Sequence, residues 1–171
     1  MNTQEALGAS RMLDTRKDTS LREVAPGLYV GGILSSRHAK DRYETVINLY
    51  GYSWPAKMEP PPDLTALVQE QEKVLKAYVK HHLIFRVDDQ KPYPDWLLNT
   101  AEEVVRANRN KGVLIHCFAG ISRSVSLAYA MCRVVYGMDN EEASEAVQHP
   151  LYLPCTQPLC SAVDWVERRL S

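Results

Sequence analysis

Short apolar runs alternate with longer stretches of helical period along this chain. Leu28-Tyr29-Val30-Gly31-Gly32-Ile33 and Thr45-Val46-Ile47-Asn48-Leu49-Tyr50 are β-branched or aromatic, and both are followed by polar or breaking residues, which predicts two strands. Pro60-Pro61-Pro62 then stops regular structure. Asp63 is placed to cap a helix running to about His81, with Leu64, Leu67, Val68, Gln71, Leu75, Tyr78 and Val79 on one face and His81-His82 at its exposed end. Leu83–Val87 reads as a third strand, and Asp88-Asp89-Gln90 falls just past its carboxyl end. A helix follows from about Pro94 to Asn108, with Leu97, Ala101, Val104 and Val105 together and Lys111-Gly112 as its stop. Val113-Leu114-Ile115-His116 predicts a buried strand. The next helix runs from about Arg123 to Tyr136 with Val125, Ala128, Met131, Cys132 and Val135 inward. Asp139 with Glu142 opens another helix, in capping-box fashion, that Pro150 ends. Leu159, Val163, Val166 and Leu170 stripe the last one.

Strands alternating with helices predict an α/β single domain: a mostly parallel central sheet of about four or five strands, flanked by helices. In such sheets sites gather outside the carboxyl ends of strands, where Asp89 and Cys117 both fall. A length of 171 residues with 45% hydrophobic content suits one core and excludes two large domains. Residues 1–20 are polar and mixed in charge and read as a flexible arm, which leaves 21–171 as the folded domain.

Twenty Lys and Arg against twenty-one Asp and Glu give a formal charge of −1, so no global excess draws the chain to nucleic acid or an acidic membrane. No apolar run approaches the roughly 18 residues of a membrane span. Cys117, Cys132, Cys155 and Cys160 make neither a disulfide framework nor a CxxC unit, so a cytoplasmic location is expected. Composition does not set the oligomeric state.

The chemistry concentrates in His116-Cys117-Phe118-Ala119-Gly120-Ile121-Ser122-Arg123-Ser124, between the buried strand and an amphipathic helix. Phe118, Ala119, Gly120, Ile121 and Ser122 are enough backbone to curl around one tetrahedral anion, with N–H groups inward and the helix N-terminus adding partial positive charge. The same donors favour thiolate over thiol at Cys117 and make it a nucleophile. Arg123 can fork two N–H groups onto phosphate oxygens, which a lysine cannot. Ser124 can donate to the sulfur and ease its expulsion. A general acid must come from a neighbouring loop, and Asp88 and Asp89 are both candidates. His116 points away from the cradle if the strand alternates, and orients the loop. Neither metal nor cofactor is required. Cys132 lies on an inward helical stripe as a packed core thiol; pairing of Cys117 with Cys132 or Cys155 is the sharper, redox alternative.

HCFAGISRS resembles the HCxxGxxRS motif of the cysteine-dependent protein tyrosine phosphatase superfamily, and AGISRS resembles its small, atypical dual-specificity branch. Val24–Gly31 is similar to the opening "pxLYLG" of that family, Val46-Ile47-Asn48-Leu49 to its second core strand, and Val87-Asp88-Asp89 to its "VxD" acid segment. The resemblance implies Cys117 as nucleophile, Arg123 as clamp, Ser124 as release hydroxyl and Asp89 as general acid, with Asp88 second. It further implies a dual-specificity-phosphatase-like catalytic domain over 21–171, hydrolysing phosphotyrosine and also phosphoserine and phosphothreonine. The loop carries no cation besides Arg123, which favours a phosphorylated protein as partner over a multiply phosphorylated ring. The alternatives are a non-catalytic phosphate-binding adaptor and a phosphatase of a non-protein phosphomonoester. Two departures stand out: a longer stretch around residues 51–82, and His149–Thr156 where the family often shows an Arg-rich helix end and a Pro-Asn pair.

Overall fold

The computed structural model describes residues 20–50, 62–88, 90–118, 122–148 and 156–171. Five strands form one sheet: β1 Arg22–Ala25, β2 Leu28–Gly31, β3 Thr45–Asn48, β4 His81–Ile84 and β5 Val113–His116, in the order β1-β2-β5-β3-β4. Only β1 is antiparallel; β2, β5, β3 and β4 run parallel, with Tyr29 and Val46 flanking Leu114 and Ile47 opposite Leu83. The expected mostly parallel sheet is thus present at five strands.

Among the described residues six helices accompany it: α1 Ala39–Arg42, α2 Pro62–Tyr78, α3 Asp95–Asn108, α4 Arg123–Val134, α5 Asn140–Val147 and α6 Gln157–Leu170. β5 is buried along its whole length, and its pleat divides the interior. Val113 and Ile115 join the larger core with Leu97, Val105, Val125, Met131 and Trp165 from α3, α4 and α6. Leu114 faces the other way, into a smaller cluster with Ala39 of α1, Tyr43 just after it, Val46 of β3 and Leu75 of α2. Helix α4 is buried on nearly all sides, as a helix enclosed by α3, α5, α6 and the sheet must be.

Several sequence expectations shift. The helix placed at Asp63–His81 begins at Pro62, a residue tolerated in a first turn, and ends at Tyr78. His81 and His82 are the first residues of β4, not the end of a helix, because the Lys80 and His81 N–H groups both donate to the Glu44 carbonyl, at 2.8 and 3.2 Å, and pull the chain alongside β3. The third strand is therefore His81–Ile84 and not Leu83–Val87. Tyr78 is 44% exposed rather than on the buried face, and Leu170 is 51% exposed rather than part of the buried stripe of α6. Strand β1, the 3₁₀ turn Ser35–His38 and α1 had no forecast. The Asp139–Glu142 capping box is formed in both directions, at 2.8 and 3.2 Å. Gly27, with φ of 77°, makes the β1–β2 turn, where a Cβ would lie 1.8 Å from the Arg109 carbonyl oxygen. No helix among the described residues is long and apolar enough to cross a membrane. The arm over 1–19, Pro60 and Pro61, Asp89, Ala119, Gly120, Ile121 and the departure at 149–155 with Cys155 lie outside the described residues.

Candidate active site

The centre of a parallel sheet is the most enclosed place from which a chain can emerge, and β5 delivers Cys117 there. The emerging backbone is held from both sides. The Cys117 N–H donates to the Gly31 carbonyl at 3.4 Å, the Leu49 N–H to the His116 carbonyl at 2.8 Å, and the Ile33 N–H to the Phe118 carbonyl at 2.7 Å. The segments leaving β2 and β3 thus fix where the loop begins, before its own residues contribute.

Cys117 and Ser124 are both fully buried, with Sγ 3.3 Å from Oγ, and the Ser124 hydroxyl also lies 3.4 Å from the Gly31 carbonyl oxygen. Gly31 has no alternative here, since a Cβ would stand 2.0 Å from Ser35 Oγ, which accepts from the Gly32 N–H. Arg123 opens α4 and is only 4% exposed. Its Nη1 donates to the Val87 carbonyl at 2.8 Å, its guanidinium carbon lies 5.6 Å from the centre of the Tyr50 ring, and its own carbonyl accepts from the Tyr93 hydroxyl. Tyr50 in turn packs against Phe118, ring centres 5.0 Å apart. The first turn of α4 has no side-chain cap, and Ser122 Oγ is buried with no hydrogen-bond partner among the described residues. Uncapped N–H groups, the positive end of the helix and a buried guanidinium together form a field suited to a dianion.

His116 points to the side of the sheet opposite Cys117, following the alternation that carries Leu114 into the smaller cluster. Burial pushes its pKa down to about 4, partly opposed by the contact of Nδ1 with the Cys117 carbonyl at 3.1 Å, so at neutral pH it is an uncharged prop of the loop. Cys132 is fully buried in the larger core, and burial pushes its thiol up to about 12. A thiol held neutral attacks a disulfide or sulfenic acid poorly, which weighs against Cys132 as a redox partner. Among the described residues no cluster of His, Cys, Asp or Glu is arranged to hold a metal ion.

The structure therefore brings Cys117, Arg123, Ser124, Phe118 and Ser122 together. Asp88 is exposed and engaged in its own turn: its carboxylate accepts from the Gln90 N–H at 2.9 Å and its carbonyl from the Lys91 N–H at 3.2 Å. The bond from Arg123 to the Val87 carbonyl brings Val87, the neighbour of Asp88, against the guanidinium. Tyr50, Tyr93 and the Val87 carbonyl were not forecast as parts of the site. Tyr50 follows the carboxyl end of β3, and that position alone was a usable signal; Tyr93, between two prolines, gave none.

No protein-family model and no curated protein matches the chain by sequence. Solved structures do match it. Human DUSP28 aligns over 91% of this chain and 98% of its own at a TM-score of 0.63 and 17% identity, and Tk-PTP in its active form over 88% and 98% at 0.62 and 18%. The core catalytic domain of the PP-IP phosphatase SIW14 from S. cerevisiae aligns over 89% and 86% at 0.62 and 16%. The chain has the fold of the protein tyrosine and dual-specificity phosphatases.

Proposed function

We propose that this protein is a metal-independent phosphomonoester hydrolase working through a phosphocysteine at Cys117. The observation that carries the reading is the buried trio of Cys117, Ser124 and Arg123, with Sγ 3.3 Å from the serine hydroxyl and the guanidinium at the start of the same uncapped helix. The Cys117 thiolate attacks phosphorus and the ester P–O bond breaks. The departing oxygen takes a proton from the acid segment, Asp89 first and Asp88 second. Arg123 and the loop N–H groups hold the equatorial oxygens through the transition state. The resulting carboxylate then takes a proton from water, whose oxygen attacks phosphorus. The S–P bond breaks, phosphate leaves and the thiolate returns, accepting a hydrogen bond from Ser124.

The substrate proposed is a phosphorylated protein bearing phosphotyrosine, phosphoserine or phosphothreonine. Support comes from the loop composition, where Arg123 is the only cation from Phe118 to Ser124, and from the ring of Tyr50 beside it. Purified protein is expected to hydrolyse p-nitrophenyl phosphate with a chelator present, and Cys117→Ser to reduce turnover to background. Turnover that survives this substitution refutes the reading, and stable phosphopeptide capture without phosphate release by the unaltered protein favours the adaptor instead.

A further inference from the structure

The candidate catalytic residues occupy one end of the parallel strands. At the other end, where β2 and β5 begin, lies a cleft of about 680 Å³ walled by Glu23, Tyr29, Arg42, Arg109, Lys111 and Tyr136. It is separate from Cys117: Gly112 on its floor and Cys117 lie at opposite ends of β5, roughly 16 Å apart at the rise of a strand.

Three cations face one carboxylate in this cleft. The carboxylate is occupied, because Glu23 accepts from the Tyr29 hydroxyl and pushes that hydroxyl's pKa up. Arg109 is also fixed. Its Nη1 donates to the Val135 carbonyl at 3.3 Å and its guanidinium lies 5.1 Å from the centre of the Tyr136 ring, while the Tyr136 hydroxyl donates to the Pro26 carbonyl at 2.8 Å. These contacts tie that wall to Val135 and Pro26. Arg42 and Lys111 differ: both are exposed, and among the described residues neither makes an ion pair or a side-chain hydrogen bond.

Each of these two cations has a local reason to exist, since Arg42 ends α1 and Lys111 ends the 3₁₀ turn Arg109–Lys111 after α3, and cations suit helix ends. That reason does not account for their convergence, from two elements far apart in sequence, on one concavity that the half-exposed Tyr29 and Tyr136 also line. The volume is that of a small-molecule site, and the donors suit phosphate oxygens. We propose that this cleft binds a small phosphorylated molecule with a planar ring, such as a nucleotide, its phosphates on Arg42 and Lys111 and its ring against Tyr29. The inference stands apart from the chemistry of Cys117, and its test reads binding directly.

The full chain, labelled with ¹⁵N, is titrated with ADP and separately with adenosine while amide shifts are followed. ADP is expected to move Gly27, Asn110 and Gly112 saturably, and adenosine to leave them in place. Combining Arg42→Glu with Lys111→Glu is expected to weaken that response at least tenfold, with p-nitrophenyl phosphate turnover unchanged. Arg42→Gln with Lys111→Gln serves if charge reversal disturbs the amide spectrum. ADP shifts confined to the segment from Cys117 to Ser124, an equal response to adenosine, or ADP binding undiminished in a folded double variant would overturn the proposal.

Discussion

Ser124 has one hydroxyl hydrogen and two acceptors, the Cys117 sulfur at 3.3 Å and the Gly31 carbonyl at 3.4 Å. Beside a neutral thiol that hydrogen is satisfied at the carbonyl. A thiolate is the stronger acceptor, and a charge-assisted bond to it contributes about 1.5–3 kcal/mol. The bond matters most when the thiolate is the leaving group. Ser124→Ala is therefore expected to preserve the initial burst of p-nitrophenol and to slow steady-state turnover by about 10- to 150-fold. Equal slowing of burst and steady state would remove Ser124 from phosphoenzyme breakdown. The acid is separable in the same way. Asp89→Asn is expected to slow alkyl phosphates much more than p-nitrophenyl phosphate, because a good leaving group needs no proton. A larger effect from Asp88→Asn would exchange the two assignments, although Asp88 already holds the Gln90 N–H.

Among the elements, β5 sets the loop and also makes it sensitive to acid. His116, at its end, has a folded pKa of about 4 against an ordinary value of 6.5, so between these values the unfolded chain binds a proton that the folded one does not. Stability is complete above pH 6.5 and falls as the pH drops towards 4, by on the order of 3 kcal/mol from this group. Denaturant unfolding at pH 7 and pH 5 measures about 2 kcal/mol of it. His82, whose pKa is also lowered by partial desolvation, contributes in the same direction, so the readout is the smaller loss in His116→Asn than in the unaltered chain. Identical losses would contradict the account. The same element explains what could be read in advance. Strand β5 has three consecutive apolar residues before His116 and α4 has a clear stripe, so both were placed within a residue or two, with the candidate loop between them. Strand β4 is an edge strand whose residues are exposed or half-buried, and it carries no period to set its register. Strand β1, four residues with two charged, is hidden for the same reason. Cys117, Arg123 and Ser124 were legible because they fall within one nine-residue stretch of sequence. Tyr50 and Tyr93 reach the clamp from distant parts of the chain, and only tertiary packing brings them there.

Across the whole molecule, α6 is fastened to α3 and, through Tyr93, to the site. Arg168 grips Asp95 with two bonds of 2.7 and 2.8 Å, Arg169 reaches Glu102 at 3.0 and 3.1 Å, and Trp165 Nε1 donates to Asn99 at 3.0 Å. Ser161 Oγ accepts from the Tyr93 N–H at 2.8 Å, and the hydroxyl of Tyr93 donates to the Arg123 carbonyl. Tyr93 thus links the last helix to Arg123 and is placed to act as a positioning residue. Tyr93→Phe removes one neutral hydrogen bond, about 1 kcal/mol, and is expected to lower kcat about fivefold with little change in KM. A lowered Tm with kcat unchanged would reduce Tyr93 to a structural role.

A covalent phosphate on Cys117 is the intermediate that the proposed reaction requires. Acid quenching of the protein within its first turnover of a phosphotyrosyl peptide, followed by peptide mass spectrometry, tests it most directly. A single phosphorylated peptide bearing the modification on Cys117 is the predicted result. Phosphate released with no covalent intermediate, or phosphate found on another residue while Cys117 stays unmodified, would contradict it.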